Sequence, residues 1–397
     1  MALTPIDQLQ LAGKRVFIRV DFNVPLDKAE AVTDDTRIRE ALPTIRYALD
    51  HGAKVLLASH LGRPKGKVDP AFSLKPAADR LRMLLGGVSV SLAPDCIGPA
   101  VQTLSAELPV GAVLILENLR FHPEEEKNDP NFAQALATLA DVYINDAFGS
   151  SHRAHASVVG IVPHVPATGI GFLMRKEIDA LSRLLANPEP PFIAILGGAK
   201  VSDKIGLIRS LLTRADTIII GGAMAYTLQK AQGIAIGKSL LEPDHIEEAK
   251  AVLADAASRG VALLLPQDHI IAKELKAGTA SSVTSGREIP TDQLGVDIGP
   301  QSIQTFRAAL QDAKTILWNG PMGVFEIPPF DQGTHALAEA VAATTSFSVA
   351  GGGDTVAALT QAGLADKISH ISTGGGASLE FLESGDLPGL AALRMHA

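Results

Sequence analysis

The chain has 397 residues, of which 46% are hydrophobic and only 4% aromatic, with one cysteine, a formal net charge of −8 and a pI near 5.8. That length exceeds what one core usually sustains and implies two or three domains of roughly 150 residues each, with cores of Val, Ile, Leu and Ala as in buried parallel sheets. The acidic balance argues against nucleic acid or an anionic membrane as partner, Cys96 alone allows neither an intrachain disulfide nor a cysteine-based metal cage, and no apolar run nears the ~20 residues of a bilayer span.

The opening segment, Met1 to Asp7, has neither a basic n-region nor an apolar h-region, so a cytoplasmic protein is expected. Short β-branched runs then recur at Val16 to Val20, Val55 to Ser59, Val113 to Leu116 and Val142 to Asn145. Helically spaced stretches separate them. Ile38, Leu42, Ile45 and Leu49 form one such stripe, opened by the cap candidates Thr33, Asp34 and Asp35. This alternation is the signature of βαβ units and a parallel sheet.

Each of these runs leads into polar residues. The segments are Arg19-Val20-Asp21-Phe22-Asn23, Ser59-His60-Leu61-Gly62-Arg63-Pro64, Glu117-Asn118-Leu119-Arg120-Phe121 and Ser151-His152-Arg153-Ala154-His155. Asp21 and Asn23 could hold a substrate hydroxyl or carboxylate, or only brace a strand-exit turn by Asx hydrogen bonds. Arg37 opens a helix, where a cation opposes the macrodipole by about 0.3–1 kcal/mol. Either an anion lies nearby, or Arg37 pairs with Asp34, Asp35 or Glu40. A lone exposed arginine is usually solvated, but arginines gathered at the strand ends of one sheet, with His60 among them, point to a small-anion site, because guanidinium forks grip phosphate and carboxylate bidentately.

A connecting helix is predicted over Leu173 to Ala186, ended by Asn187-Pro188-Glu189-Pro190-Pro191. The strand pattern resumes at Phe192 to Leu196, Thr217 to Ile220, Val261 to Leu265, Lys314 to Trp318, Phe347 to Ala350 and Ile368 to Thr373. Here the runs end in glycines. The turns are Gly197-Gly198, Gly221-Gly222, Gly320-Pro321-Met322-Gly323, Gly351-Gly352-Gly353-Asp354-Thr355 and Gly374-Gly375-Gly376. Glycine turns let backbone N–H groups at helix N-termini approach a polyphosphate. Lys200 and Lys204 share a face if a helix opens after Gly198, and could neutralise phosphate oxygens. Asp354 offers the hard oxygen that nucleotide-bound Mg2+ prefers, or simply caps its helix.

Several decoys fail. Gly233 to Ser239 is one residue short of the Walker A spacing, no G-x-G-x-x-G follows a predicted strand, and H-E-x-x-H and G-x-S-x-G are absent. In open α/β sheets ligands sit at the carboxyl ends of strands, so a small-anion site and a nucleotide site facing across a cleft suggest phosphoryl transfer. A carboxylate acceptor would already be ionised and would need no general base. The competing class is a catalytically silent two-domain protein that binds anion and nucleotide.

These segments, in the same order, also resemble the signature stretches of the phosphoglycerate kinase family from end to end, together with His152 to Gly160, Gly320 to Glu326 and Ser372 to Leu379. The resemblance implies two Rossmann-like α/β domains, each a parallel sheet flanked by helices, facing across a cleft and joined by a hinge helix. The boundaries would be 1–172, completed by a returning segment 379–397, then the hinge helix at 173–187 and the second domain at 188–378. It implies reversible Mg2+-dependent transfer between 1,3-bisphosphoglycerate and ADP, giving 3-phosphoglycerate and ATP, by a monomer. Asp21, Asn23, Arg37, His60, Arg63, Arg120 and Arg153 would bind the phosphoglycerate. Lys200, Lys204, Gly221, Gly222, Asn319, Glu326, Gly352, Gly353, Asp354 and Thr355 would bind or border the nucleotide, with Asp354 on the metal. Arg37, Lys200, Gly374 and Gly375 would stabilise the transferring phosphoryl. Two departures from the family pattern, Ser384-Gly385 after Glu383 and Gln267 in the stretch Leu265 to Asp268, touch none of these roles.

Overall fold

The computed structural model describes residues 3–396. The chain divides into two compact units, one formed by Met1–Asp179 with Asp386–Ala397, the other by Ala180–Gly385. The division falls inside the helix Phe172–Ala186.

The first unit holds the strands β1 (Arg15–Arg19), β2 (Lys54–Ala58), β3 (Val90–Leu92), β4 (Val113–Ile115), β5 (Val142–Asn145) and β6 (Ala167–Ile170). They form one parallel sheet ordered β3-β4-β2-β1-β5-β6. On one face Val16, Ile18, Val55, Leu57, Val113 and Ile115 pack against Ile38, Ala41 and Ile45 of the helix Thr36–Asp50, all buried. Residues one step out of phase point to the other face, where Phe17 meets Tyr143 at 6.0 Å between ring centroids. Burial on both faces, at about 1.5–3 kcal/mol per large aliphatic side chain, is why these runs read as continuous apolar stretches.

β3 and β6 were not predicted. β3 is a three-residue edge strand with Ser91 exposed, too short to show a period. β6 contains Gly169, where a Cβ would lie 2.5 Å from the carbonyl of Thr4. Glycine there admits the chain's opening segment against the sheet, at the expense of strand propensity. The C-terminal helix Pro388–His396 packs on this unit, with Gly389 N donating to Ser151 O at 2.9 Å.

The second unit carries β7 (Phe192–Leu196), β8 (Thr217–Ile220), β9 (Ala262–Leu264), β10 (His269–Ala272), β11 (Ser281–Val283), β12 (Leu294–Ile298), β13 (Thr315–Asn319), β14 (Phe347–Gly351) and β15 (His370–Ile371). Six of them make a parallel sheet ordered β15-β14-β13-β7-β8-β9, and β11-β10-β12 form a small antiparallel sheet absent from the sequence prediction. Its strands are short, and β11 is exposed throughout, so neither length nor alternation marks it. Ile195, Ile219, Ile316, Trp318 and Leu337 are buried in the core of this unit. Among the described residues no helix is long and apolar enough to cross a membrane.

Because every strand of each main sheet points the same way, the carboxyl ends of all its strands share one edge. The polar segments gather on that edge in the first unit, and the glycine turns do so in the second.

Candidate active site

In the first unit the exits of β1 and β2 are stitched together. Phe22 is fully buried and its N–H donates to Ser59 Oγ at 2.8 Å, while Gly62 N donates to Asn23 Oδ1 at 2.9 Å. Asn23 N donates to Asp21 Oδ1 at 3.1 Å, so the Asx turn weighed above does form. Asp21's other oxygen accepts from Arg37 Nη1 at 2.6 Å. None of the three acids offered as alternative partners of Arg37 pairs with it. Asp34 accepts from Thr36, Asp35 from Arg39 and Arg80, and Glu40 lies 3.7 Å from Lys176.

Arg120 is buried beneath this edge, donating from Nη1 to Gly62 O at 2.9 Å and pairing with Glu126 at 3.3 Å. Arg153 lies close enough for its charge to act on Arg120 and donates from Nε to His152 Nε2 at 3.2 Å. Arg63 is exposed after the Gly62 turn. Asp21, Asn23, Arg37, His60 and Arg120 thus share one neighbourhood in which positive charge exceeds negative. Such a surface attracts a small polyanion.

The side chains that hold this edge rigid escaped the sequence reading. Arg19, only 1% exposed at the end of β1, donates from Nε to Ser157 Oγ at 2.9 Å, from Nη1 to the carbonyl of Val20, and from Nη2 to His60 Nδ1 at 3.2 Å. Ser157 Oγ in turn donates to the buried Glu125 at 2.6 Å, and Ser157 N donates to the same carboxylate at 2.9 Å. Burial raises the Glu125 carboxyl, with Arg19 and the Ser157 hydrogen bonds opposing. A charged residue closing an otherwise buried strand was a usable signal for Arg19. Nothing in the sequence separates Glu125 from its neighbours Glu124 and Glu126.

Burial, with Arg19, Arg120 and Arg37 around it, pushes the His60 imidazole well below its ordinary value. His60 is therefore neutral at pH 7. With Arg19 donating to Nδ1, its proton sits on Nε2, available to an anionic oxygen. His155 is pushed down to about 3 by burial and then by Arg19, Arg120 and Arg153.

In the second unit the turns after β7, β8 and β13 pack backbone against backbone. A Cβ on Gly197 would lie 2.0 Å from Pro321 O, and one on Gly222 would lie 2.5 Å from Gly198 N. Gly222 also has φ +66°, which an L side chain rarely adopts. Gly198 N donates to Pro321 O at 3.1 Å and Gly222 N to Met322 O at 2.8 Å. Gly221 sits against Met322, whose Sδ a Cβ would meet at 2.4 Å.

Lys204 is buried within these turns, donating from Nζ to Gly197 O at 2.5 Å and Asn319 O at 2.8 Å. Burial lowers its pKa to about 8, with Asp354 and Asp203 opposing. The helix expected after Gly198 does not form there. Residues 197–204 are an irregular loop and the helix runs Ile205–Leu211, so Lys200 is exposed, Lys204 is buried, and no helical face joins them. Gly197 to Lys204 is held instead by Lys204 Nζ on backbone carbonyls and by Ser202 Oγ on Glu242 at 2.6 Å.

Asn319 Nδ2 donates to Gly351 O at 2.9 Å, and Gly320 N donates to Thr355 Oγ1 at 2.7 Å, which ties the end of β13 to the turn after β14. Gly353 opens the helix Gly353–Gln361 and Gly376 opens Gly376–Ser384, and a Cβ on Gly353, Gly375 or Gly376 would meet nothing within 4 Å. Asp354 is exposed in the first helical turn. An open helix N-terminus with an exposed carboxylate beside it suits a phosphate chain and a hard divalent cation. Glu326 is exposed in the loop after β13.

The sequence profile of the phosphoglycerate kinase family matches residues 6–385. The chain is 57% identical over 400 residues to a phosphoglycerate kinase of Koribacter versatilis, covering 99% of both proteins. It is 56% identical over 391 residues to a cytosolic phosphoglycerate kinase of Triticum aestivum, covering 98% of this chain and 97% of that one. The solved phosphoglycerate kinase of Coxiella burnetii superposes with a TM-score of 0.90 at 41% identity, covering 99% of both chains.

Proposed function

The chain belongs to the phosphoglycerate kinase family, and we propose that the two anion-binding edges described above are the halves of its active site. The reaction is phosphoryl transfer between 1,3-bisphosphoglycerate and ADP, giving 3-phosphoglycerate and ATP, as in glycolysis. Asp21, Asn23, Arg37, His60, Arg63, Arg120 and Arg153 bind the phosphoglycerate. Lys204, Asn319 and the turns at Gly352 to Thr355 and Gly374 to Gly376 cradle the nucleotide phosphates, with Gly221, Gly222 and Glu326 bordering the nucleoside.

The observation that carries this assignment is the excess of cationic groups around His60, on an edge whose own acids are already engaged. In the direction of acyl-phosphate formation a carboxylate oxygen of 3-phosphoglycerate attacks the γ-phosphorus of ATP while the bond to the β-bridging oxygen breaks, leaving ADP. The carboxylate is ionised at pH 7, so no base is required. Charge spreads over the three equatorial oxygens of a loose transition state, and the protein's task is positioning and neutralisation. Arg37 from one unit, Lys200 and the N–H groups of Gly374 and Gly375 from the other, act on the same phosphoryl.

Mg2+ fits the donor set: Asp354 would hold it, and when bound it would supply positive charge to offset that of the nucleotide phosphates. We assign a monomer acting on these small molecules in the cytoplasm, in keeping with the cytosolic wheat relative. The test is a coupled assay with 3-phosphoglycerate, ATP and Mg2+, following acyl-phosphate through a downstream reductase. Turnover is expected, and folded protein without turnover would refute the assignment.

A further inference from the structure

We propose that Asp95, Cys96 and His122, in the first unit, form a site for a borderline-soft divalent cation such as Zn2+, separate from the Asp354 position. Asp95 and Cys96 lie between β3 and the helix Pro99–Glu107, and His122 precedes the short helix Pro123–Glu126. A carboxylate oxygen, the thiol sulfur and an imidazole nitrogen from these residues all lie within 4.8 Å of one another. Asp95 Oδ1 is the shared centre, accepting from Cys96 N at 2.6 Å and lying 2.7 Å from His122 Nε2. Cys96 is fully buried, whereas the side chains of His122 and Asp95 are 25% and 44% exposed, so an ion can enter from solvent with sulfur facing it from inside. The ring of His122 leans on Phe132, with centroids 5.3 Å apart, which limits its swing.

The donor types select the metal. Thiolate, imidazole and carboxylate with a water in the fourth position suit tetrahedral Zn2+, whereas Mg2+ takes oxygen ligands. Bonds of ~2.0–2.3 Å in a tetrahedron place the donor atoms roughly 3.5 Å apart, so the sulfur must approach slightly and His122 Nε2 must draw back from Asp95. Without metal, Nε2–H donates to the Asp95 carboxylate. On loading, the imidazole proton moves to Nδ1 and the thiol proton leaves to solvent, so one proton is released per ion and nothing is oxidised or reduced. The bound ion would clasp residues 95–96 to the segment that follows Arg120.

The experiment titrates the full-length, tag-free chain with Co2+, whose thiolate complexes give an intense near-ultraviolet charge-transfer band that oxygen-only sites such as Asp354 cannot produce. One equivalent is expected to raise this band and Zn2+ to abolish it. Cys96→Ala should lose the band while retaining turnover, and His122→Ala should bind Co2+ at least 10-fold more weakly. Thermal unfolding should rise with Zn2+ in the parent chain and in neither variant. No band in the parent, or an undiminished band in Cys96→Ala, would overturn the proposal, as would a Zn2+-dependent thermal shift that survives in both variants.

Discussion

Arg19 Nη2 lies 3.2 Å from His60 Nδ1, inside the edge that carries the cationic cluster. A guanidinium can only donate, so this contact keeps the imidazole proton on Nε2 and opposes a second proton. The KM for 3-phosphoglycerate should therefore show no inflection near the ordinary histidine value of 6.5 as pH is varied from 6 to 8. An inflection there that vanishes in His60→Gln would contradict a neutral His60.

Ser157 also links Arg19 to the buried Glu125, whose carboxyl feels the Arg19 charge. Replacing Arg19 by Met leaves a buried carboxylate without its cation, which costs about 3–5 kcal/mol. Denaturant midpoints should register that loss. A change below 1 kcal/mol would show that Glu125 does not depend on Arg19.

Lys204 titrates at about 8 in the folded chain because it is buried. Above that pH the ammonium is lost from the nucleotide cradle, so kcat/KM for ATP, which reports the free enzyme, should decline as pH rises through about 8. A flat profile to pH 9 would exclude Lys204 as a phosphate ligand.

Gly222 and Gly353 separate packing from binding. Gly222→Ala forces a Cβ to within 2.5 Å of Gly198 N at a positive φ and should destabilise by about 1–3 kcal/mol. Gly353→Ala meets nothing within 4 Å. Its melting temperature should stay close to that of the parent, while KM for ATP rises because the methyl occupies the approach to the helix N-terminus. Equal effects of the two substitutions on stability would contradict this division.

Burial raises the Asp146 carboxyl to about 7 from 3.8, and Met174 N donates to its Oδ1 at 3.0 Å. The folded state thus holds a proton that the unfolded state has lost, so the contribution of Asp146 to stability is complete below pH 3.8 and disappears as pH rises through about 7. Asp146→Asn keeps the Oδ1 acceptor and cannot ionise. Its stability should fall less than the parent's between pH 5 and 8, while an unchanged pH slope would remove Asp146 as a cause. Asp297, also near 7, retains its own share in both proteins.

Central strands were legible because burial on both faces makes them continuous apolar runs: β5, β7 and β8 occupy the predicted spans, and β1 and β13 differ by one residue. The edge strands β3 and β6 were not, since they are short and one contains glycine, whereas the edge strands β9 and β15 lie within the predicted runs Val261 to Leu265 and Ile368 to Thr373. Residue types at the two edges were readable from motif order, yet their partners were not. Arg37 selects Asp21, sixteen residues earlier, over nearer acids, and the loop Gly197 to Lys204 is fixed in part by the Asn319 carbonyl at the end of β13, which no local pattern reveals.

The central claim is that groups from both units act on one transferring phosphoryl, and it is tested most directly by the kcat of Arg37→Ala. A well-placed arginine is worth about 10³–10⁵ in rate in such reactions, so kcat should fall by at least about 10³ while KM for ATP stays within about threefold. An unchanged kcat would contradict the account.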